Sequence, residues 1–168
     1  MNRRHLALLG LVAVFLLAGC GFGPTDVPND ELNKNVSFDW ETDANATYSL
    51  SRSSYSAVIR ASNQTSLKVY RRDALGTDNP IRPNALRFRF TNGTVVNASH
   101  TNLSASLRSS STVLTLPAKN GTVGFTASRS GKQFTTPVFV DGSHELLLPP
   151  GTRVGVPILS QASPGGDN

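Results

Sequence analysis

The sequence predicts an all-β domain, either an antiparallel β-sandwich or an open barrel, behind an N-terminal signal peptide and a flexible tether. Short runs in which apolar and polar residues alternate begin at Val36, and a period of two is typical of strands with one buried face. Leu86–Phe90 is the clearest run, because three large apolar residues face one way and two arginines the other. No segment after the signal keeps an apolar period of 3.6 residues, which argues against a helical domain.

Asn-Gly and Asp-Gly pairs between these runs predict β-hairpins, because both residues of such a pair tolerate the positive φ of a type I′ turn. The predicted hairpins turn at Asn92-Gly93, between 86–90 and 94–96; at Asn120-Gly121, between 113–116 and 123–126; and at Asp141-Gly142, between 137–140 and 144–148. Turns at such short spacing favour a sandwich or a barrel.

Residues 1–19 are typical of a lipoprotein signal peptide. Three positive or polar residues, Arg3, Arg4 and His5, are followed by thirteen residues, 6–18, that are all apolar or glycine. As a helix this run spans about 20 Å, which is too short for a hydrocarbon core of about 30 Å. Two small residues then precede Cys20, the only cysteine of the chain. The arrangement matches the lipobox of bacterial and archaeal lipoproteins, which implies that Cys20 is lipidated and becomes the mature N-terminus.

The predicted location is therefore the outer face of the cytoplasmic membrane, in the cell envelope, with membrane contact through a lipid anchor. Residues 2–7 are also similar to a twin-arginine signal, so the twin-arginine route and the Sec route of export both stay open.

Charge is unevenly distributed along the chain. Residues 26–43 hold six carboxylates and one lysine, a net charge of −5, whereas residues 44–140 hold twelve Lys and Arg and two Asp, a net charge of +10. Residues 20–35 contain glycines, prolines and acids with little to bury, so we expect a flexible tether that begins at the lipidated cysteine. Residues 36–159 then form the sandwich-like domain, and residues 160–168 a disordered tail.

Seven Asn-x-Ser/Thr triplets without a central proline are candidates for N-glycosylation, where the composition alone predicts about three. Asn92 and Asn120 fall at predicted hairpin tips, where a transferase can reach them. A chain rich in Ser, Thr and Asn also produces such triplets without use, which is the competing interpretation. The candidate asparagines are Asn35, Asn45, Asn63, Asn92, Asn97, Asn102 and Asn120.

No catalytic constellation, metal site or cofactor is predicted. Asp141, His144 and Glu145 are close in sequence, but His144 and Glu145 would point to opposite faces of a strand. A hairpin turn with solvated polar residues is therefore the preferred interpretation of this group.

Four arginines are candidates for a contact surface, because the planar guanidinium donates two parallel hydrogen bonds to a carboxylate or a phosphate. Scattered arginines that only keep the domain soluble are the competing interpretation. The candidates are Arg71, Arg72, Arg87 and Arg89.

The predicted function is a non-enzymatic binding or structural role, with an acidic envelope protein or glycan as partner and no nucleic acid. The acidic segment 26–43 argues against a domain that lies flat on anionic lipid. The alternatives are a solute-binding lipoprotein of a transporter and a small hydrolase that uses His144 with Asp141. A deep apolar pocket with a converging polar group would favour these alternatives.

Besides the lipobox, four blocks of sequence carry a family resemblance, at 86–96, 139–145, 148–153 and 163–166. Together they resemble an uncharacterised family of haloarchaeal surface lipoproteins over most of residues 1–166. The resemblance implies a lipidated Cys20 and an extracellular β-rich domain, and it implies no activity. It also implies further strands and a C-terminal membrane helix after the last block, so residues 160–168 are expected to be a shortened C-terminus.

Cys20→Ser is expected to block lipidation, because serine cannot form the thioether, and to leave an unprocessed or soluble chain. Two acyl or isoprenoid chains are expected on the native cysteine, since one chain gives only marginal membrane binding. Membrane fractionation and mass spectrometry of the N-terminal peptide check this, with Gly21→Ser as the lipidated control. A Cys20→Ser chain that is processed at the same bond and stays membrane-bound contradicts the lipobox.

Overall fold

Two β-sheets packed face to face form the structure, a computed structural model that describes residues 23–100, 102–129, 134–135 and 137–152. The predicted all-β sandwich is confirmed, and the two sheets do not close into a barrel. Cys20, the signal peptide, the C-terminal tail and residues 153–159 of the predicted domain lie outside the described residues. In the described part of the chain, no helix is long and apolar enough to cross a membrane.

The described residues form eleven strands and one short helix, α1, at Asn29–Leu32. The strands are β1 (Thr25–Asp26), β2 (Ala46–Leu50), β3 (Ser54–Ala61), β4 (Ser66–Arg72), β5 (Asp78–Pro80), β6 (Pro83–Phe90), β7 (Val95–Asn97), β8 (Ser104–Leu107), β9 (Thr112–Thr115), β10 (Gly121–Ser128) and β11 (His144–Leu147). One sheet has the order β1-β8-β9-β4-β5, and the other has the order β11-β2-β3-β10-β6-β7. Among these described strands every pair is antiparallel except β11 with β2.

The core is built around β10, which pairs with β3 on one side and with β6 on the other. Alternate residues of β10 point between the sheets, and Val123 and Phe125 are fully buried there. Phe88 on β6 is fully buried beside them, as the alternation in 86–90 predicts. The five-stranded sheet contributes the facing apolar layer, which includes Leu67 and Leu114. Burial of such side chains is the main source of stability in a fold with no cysteine in its described part.

The hairpin predicted at Asn92-Gly93 is confirmed, and it joins β6 to β7. The Phe90 N–H donates to the Thr94 carbonyl at 2.8 Å, and the Gly93 N–H donates to the Phe90 carbonyl at 3.0 Å. Gly93 has a φ of +87°, whereas Asn92 is not among the positive-φ residues. The turn is therefore a three-residue loop with a left-handed glycine, and the expected two-residue type I′ turn is wrong.

The hairpins predicted at Asn120-Gly121 and Asp141-Gly142 are wrong. Asn120-Gly121 lies on the crossover from β9 in one sheet to β10 in the other. After Asp141-Gly142, β11 pairs in parallel with β2, and residues 137–140 form no strand. Each glycine is needed for a close approach instead, because a Cβ on Gly121 would lie 2.4 Å from the Phe88 ring, and one on Gly142 would lie 2.5 Å from the Asn45 amide oxygen.

The predicted flexible tether of residues 20–35 is too long, because the folded domain begins at Thr25. The Val27 N–H donates to the Ala105 carbonyl at 2.8 Å, and β1 pairs with β8. Val27 and Leu32 are buried in the core. The sequence does not reveal that the domain starts so early, because only two apolar side chains, Val27 and Leu32, anchor this segment to the core.

Residues 34–44, which we name the strap, cross the outer face of the six-stranded sheet. Val36, Phe38 and Trp40 alternate as in a strand, but they pair with no strand and pack on the sheet's outer surface. Gly124 of β10 makes room for them, because a Cβ there would lie 2.9 Å from both the Phe38 and the Trp40 rings. The strap therefore closes the apolar part of the outer face.

Gly124→Val is expected to displace the strap and to destabilise the fold by about 1–3 kcal/mol, as overpacked sites do. Trp40 is the only tryptophan of the chain, so its emission reports the strap directly and should shift to the red. Thr126→Val, two residues along the same outward face, is the control and leaves the emission unchanged. Unchanged emission in Gly124→Val would show that the strap does not pack over β10.

Candidate functional site

A cleft of about 700 Å³ opens between the two sheets at one end of the sandwich. It is formed where β3 and β6 begin and where β4 and β10 end, together with β5. Because strands of both sheets meet there, the cleft brings together residues that are far apart in sequence.

Aromatic rings form one wall of the cleft. The Tyr55 and Phe134 ring centroids are 4.8 Å apart in an edge-to-face arrangement, and the Tyr70 ring lies across the opening. Burial raises the pKa of the Tyr55 phenol well above its usual value, so this hydroxyl stays neutral. The wall is therefore largely aromatic, a surface that suits the ring face or the alkyl part of a ligand.

Six arginines are gathered around this cleft, and we name this end of the sandwich the arginine end. Four of them line the cleft itself. Arg52 lies in the β2–β3 turn, whose Ser51 carbonyl accepts a bond from Arg129 at 3.2 Å. Arg108 lies in the β8–β9 turn, next to Thr112, whose hydroxyl donates to the Ile81 carbonyl in the cleft. The six are Arg52, Arg71, Arg72, Arg82, Arg108 and Arg129.

Two of these arginines are paired with carboxylates. Arg72 Nε lies 2.9 Å from Asp78 Oδ1, and Arg82 Nη2 lies 2.7 Å from Glu31 Oε1; both arginine side chains are 51% exposed. The hydrogen bond from Arg82 lowers the pKa of the Glu31 carboxyl, so the pair stays ionised. Exposed pairs of this kind are weak, and an incoming anion can compete for the guanidinium.

Asp73 holds the turn between β4 and β5 at the mouth of the cleft. Its Oδ1 accepts the backbone N–H groups of Thr77 at 2.9 Å and Leu75 at 3.0 Å, and its Oδ2 accepts the Asn79 amide at 3.2 Å. These bonds, the one from Thr77 first, lower the pKa of the Asp73 carboxyl. The turn that follows Arg71 and Arg72 is therefore held together by a carboxylate that serves the fold.

The four arginines predicted to form one contact surface lie in two separate places. Arg71 and Arg72 are at the cleft, on the five-stranded sheet, whereas Arg87 and Arg89 are on the outer face of the six-stranded sheet. Arg89 pairs with Glu41 of the strap at 2.8 Å. Arg71 and Arg72 therefore stay candidates for an external partner because they line an open cleft, whereas Arg87 and Arg89 are bonded to the segment that crosses the outer face.

Arg87 binds the backbone that leads into the strap. Its guanidinium donates to the carbonyls of Leu32 at 3.1 Å, Asn33 at 3.3 Å, Lys34 at 3.0 Å and Leu86 at 2.9 Å. Three of these carbonyls follow directly from the C-terminal end of α1. Arg87 therefore completes hydrogen bonds that a four-residue helix leaves open.

The acidic segment 26–43 is integrated into the domain. Glu31 pairs with Arg82, Glu41 pairs with Arg89, and the Ser106 hydroxyl donates to the Asp26 carboxylate. Two of its six carboxylates therefore pair with arginines of the basic body, and the segment is part of the folded domain.

A second cavity, of about 670 Å³, lies at the end of the strap and is lined by Trp40, Arg60 and Arg89. Both arginines are bonded to the strap, since Arg60 donates to the Thr42 carbonyl at 3.2 Å. This cavity therefore offers fewer groups to a ligand than the arginine end.

Six of the seven sequon asparagines have exposed side chains. The exception is Asn45, which is half-buried and accepts the Ser143 hydroxyl at 3.2 Å, with Gly142 packed against its amide. Four exposed sequons lie in loops at the end of the sandwich away from the cleft, which we name the sequon end. They are Asn63, Asn92, Asn102 and Asn120.

Asp141, His144 and Glu145 do not form a site. His144 Nδ1 lies 3.0 Å from the Gly142 carbonyl, and its ring stacks on Tyr48 with centroids 6.5 Å apart. Glu145 is turned toward Thr47 at 3.4 Å. Within the described residues, no cluster of three His, Cys, Asp or Glu could hold a metal ion.

Sequence reasoning missed most of the cleft, including Tyr55, Arg82, Arg129 and Phe134. The adjacent Tyr70-Arg71-Arg72 was its one local signal, because two arginines and an aromatic ring end the same strand. The other members come from four different elements and join it only through long-range pairing.

The fold and this site define a β-sandwich with an arginine-lined cleft at one end. Residues 42–168 match a family of unknown function, DUF5803, and the chain belongs to this family. The matched range contains both sheets from β2 onward, whereas β1, α1 and most of the strap precede it. No curated protein and no solved structure matches the chain. The resemblance to haloarchaeal lipoproteins stays a prediction.

Arg87→Gln is expected to destabilise the fold by about 2 kcal/mol or more, because bonds from a charged donor are lost at carbonyls that are partly buried. Arg89→Gln is the control, and it is expected to cost at most about 1 kcal/mol because its ion pair is exposed. Thermal unfolding measures both. Equal costs at the two positions would contradict the structural role of Arg87.

Proposed function

We propose that the protein is a lipid-anchored, non-enzymatic binding module on the outer face of the cytoplasmic membrane. In this proposal it binds an anionic component of the cell envelope through the arginine end. The observation that carries the proposal is the cleft at that end, where Arg71, Arg72, Arg82 and Arg129 surround an aromatic wall.

The chemistry of the cleft suits carboxylate and phosphate groups. A guanidinium presents its N–H groups as a planar fork, and two parallel hydrogen bonds to one anionic group give both strength and orientation. Tyr70 and the Arg72 guanidinium are already 5.9 Å apart, so the aromatic ring supports the charged group beside it. Candidate anionic partners are an acidic envelope protein, an acidic glycan and the lipid headgroups.

The lipobox at Cys20 supports the membrane location. The structure adds that the folded domain begins at Thr25, only five residues later. A module held so close to its anchor meets the membrane-proximal part of the envelope first.

A solute-binding role is the second candidate, and the volume of the cleft is the observation that favours it. About 700 Å³ lies within the range of roughly 300–1,000 Å³ that small-molecule sites occupy. The arginines would then bind the carboxylate or phosphate of a small solute. A rise in melting temperature with dicarboxylates or phosphate, without retention on envelopes, would favour this role.

The binding proposal is tested with residues 21–168, because the described core begins at Val27 and does not need the signal. The double variant Arg71→Gln, Arg72→Gln should bind isolated envelopes about thirtyfold more weakly than the native sequence, because each basic residue near an anionic surface contributes about 1 kcal/mol. Retention of the native sequence should also fall as salt is added.

The matched control is Arg60→Gln, Arg89→Gln, which removes two arginines at the strap and keeps the cleft. This control should bind envelopes as the native sequence does, apart from any loss of stability seen in its melting curve. Retention that is independent of salt and equal in both double variants would remove the arginine end as a binding site.

A further inference from the structure

The chain enters the domain at the arginine end. Thr25 pairs with Leu107, and Asp26 pairs with Ser106, so the chain runs from the β8–β9 turn toward the middle of the sheet. Arg108 follows Leu107 directly in that turn. The residues before Thr25 therefore leave the domain beside the arginines.

The reach from the anchor to this end is short. Thr25 is five positions after Cys20, and an extended chain covers at most about 3.3–3.6 Å per residue, so the distance is at most about 18 Å. The eight residues of β10 run from the sequon end to the arginine end, which places the two ends about 25 Å apart. A lipidated Cys20 therefore holds the arginine end, and not the sequon end, next to the bilayer.

The sequons give an independent indication of the same orientation. Four of the seven lie in loops of the sequon end, on the side of the sandwich away from the arginines. Glycans are bulky and hydrated groups, which fit a surface that faces water and not one pressed against a membrane.

We infer that the domain stands on the membrane with its arginine end toward the bilayer, and that the anionic headgroups of the anchoring leaflet are what this end binds. This inference rests on the proposed function and names its ligand. Arg52 and Arg108, both exposed in turns, and the cleft arginines are then within reach of headgroup phosphates.

The acidic groups nearby do not remove this attraction. Asp73 lies in the β4–β5 turn, Asp78 begins β5, and Asp26, Asp30 and Glu31 lie on the entering chain. The Asp73 carboxylate accepts backbone N–H groups. Asp78 and Glu31 each form an ion pair with an arginine whose side chain stays half exposed. Neither Arg52 nor Arg108 has a carboxylate partner among the described residues.

The orientation is tested on the full, lipidated chain in vesicles, with one new cysteine as the labelling site. Ser110→Cys places a fluorophore at the arginine end and Ser62→Cys places it at the sequon end; both serines are exposed. Cys20 does not react, because its sulfur carries the lipid. The vesicles contain phosphatidylglycerol, or phosphatidylcholine alone, with a small fraction of lipid whose headgroup carries a short-range quencher.

Strong quenching at position 110 and little at position 62 is the expected result in phosphatidylglycerol vesicles. Arg52→Gln with Arg108→Gln should weaken the headgroup contact at position 110 about thirtyfold, and phosphatidylcholine or added salt should weaken it as well. Equal quenching at the two positions overturns the orientation. Strong quenching at position 110 that does not depend on lipid charge, on salt or on Arg52 and Arg108 overturns headgroup binding.

Failure of the inference can be told apart from failure of the proposed function. A chain that carries no lipid on Cys20 overturns both. A lipidated chain that shows either of the contrary quenching results overturns the orientation or the headgroup ligand alone. Retention of residues 21–168 on delipidated envelopes, lost in Arg71→Gln with Arg72→Gln, would keep the binding module but assign its partner to protein or glycan.

Discussion

The pairing of β10 with both β3 and β6 is the interaction on which the rest of the structure depends. It joins three eight-residue strands into one surface whose inner face carries Phe88 and Phe125 and whose outer face is left open at Gly124. The inner face holds the five-stranded sheet by burial, and the gap at Gly124 receives the strap. One strand thus fixes both the sandwich and the position of the strap on its outer face.

The strands with one buried face could be predicted from the sequence, because burial of one face imposes a period of two wherever it occurs. Leu86, Phe88 and Phe90 show this directly. The partners of those strands could not be predicted in the same way. Asn120-Gly121 has the composition of a hairpin, but its glycine is there because the Phe88 ring approaches the backbone, a contact with a residue more than thirty positions away.

The candidate site was less predictable than the fold for the same reason. Arg71 and Arg72 stand out locally, but Arg82 and Arg129 join them only because the ends of β4, β5, β6 and β10 meet. Arg87 shows the opposite case. Its place on a clean alternating strand suggests a solvent-facing charge, whereas the strap folds back over it and uses its guanidinium to bind three successive carbonyls. Periodicity identifies the face of a residue, and only the tertiary structure shows what covers that face.

The way in which the chain enters the domain gives weak surface charges a larger effect than they would have on a free protein. Val27, Leu32 and the bonds from Arg87 fix the entering segment to the domain, so the distance from the domain to Cys20 is limited by the few residues before Thr25. In the proposed anchored form, so short a tether would make contact with the bilayer an event within one molecule, with a high effective concentration. An arginine near an anionic surface contributes only about 1 kcal/mol, which is too little to recruit a protein from solution. In the proposed anchored form, two or three such contacts would be enough to select one end of the sandwich over the other.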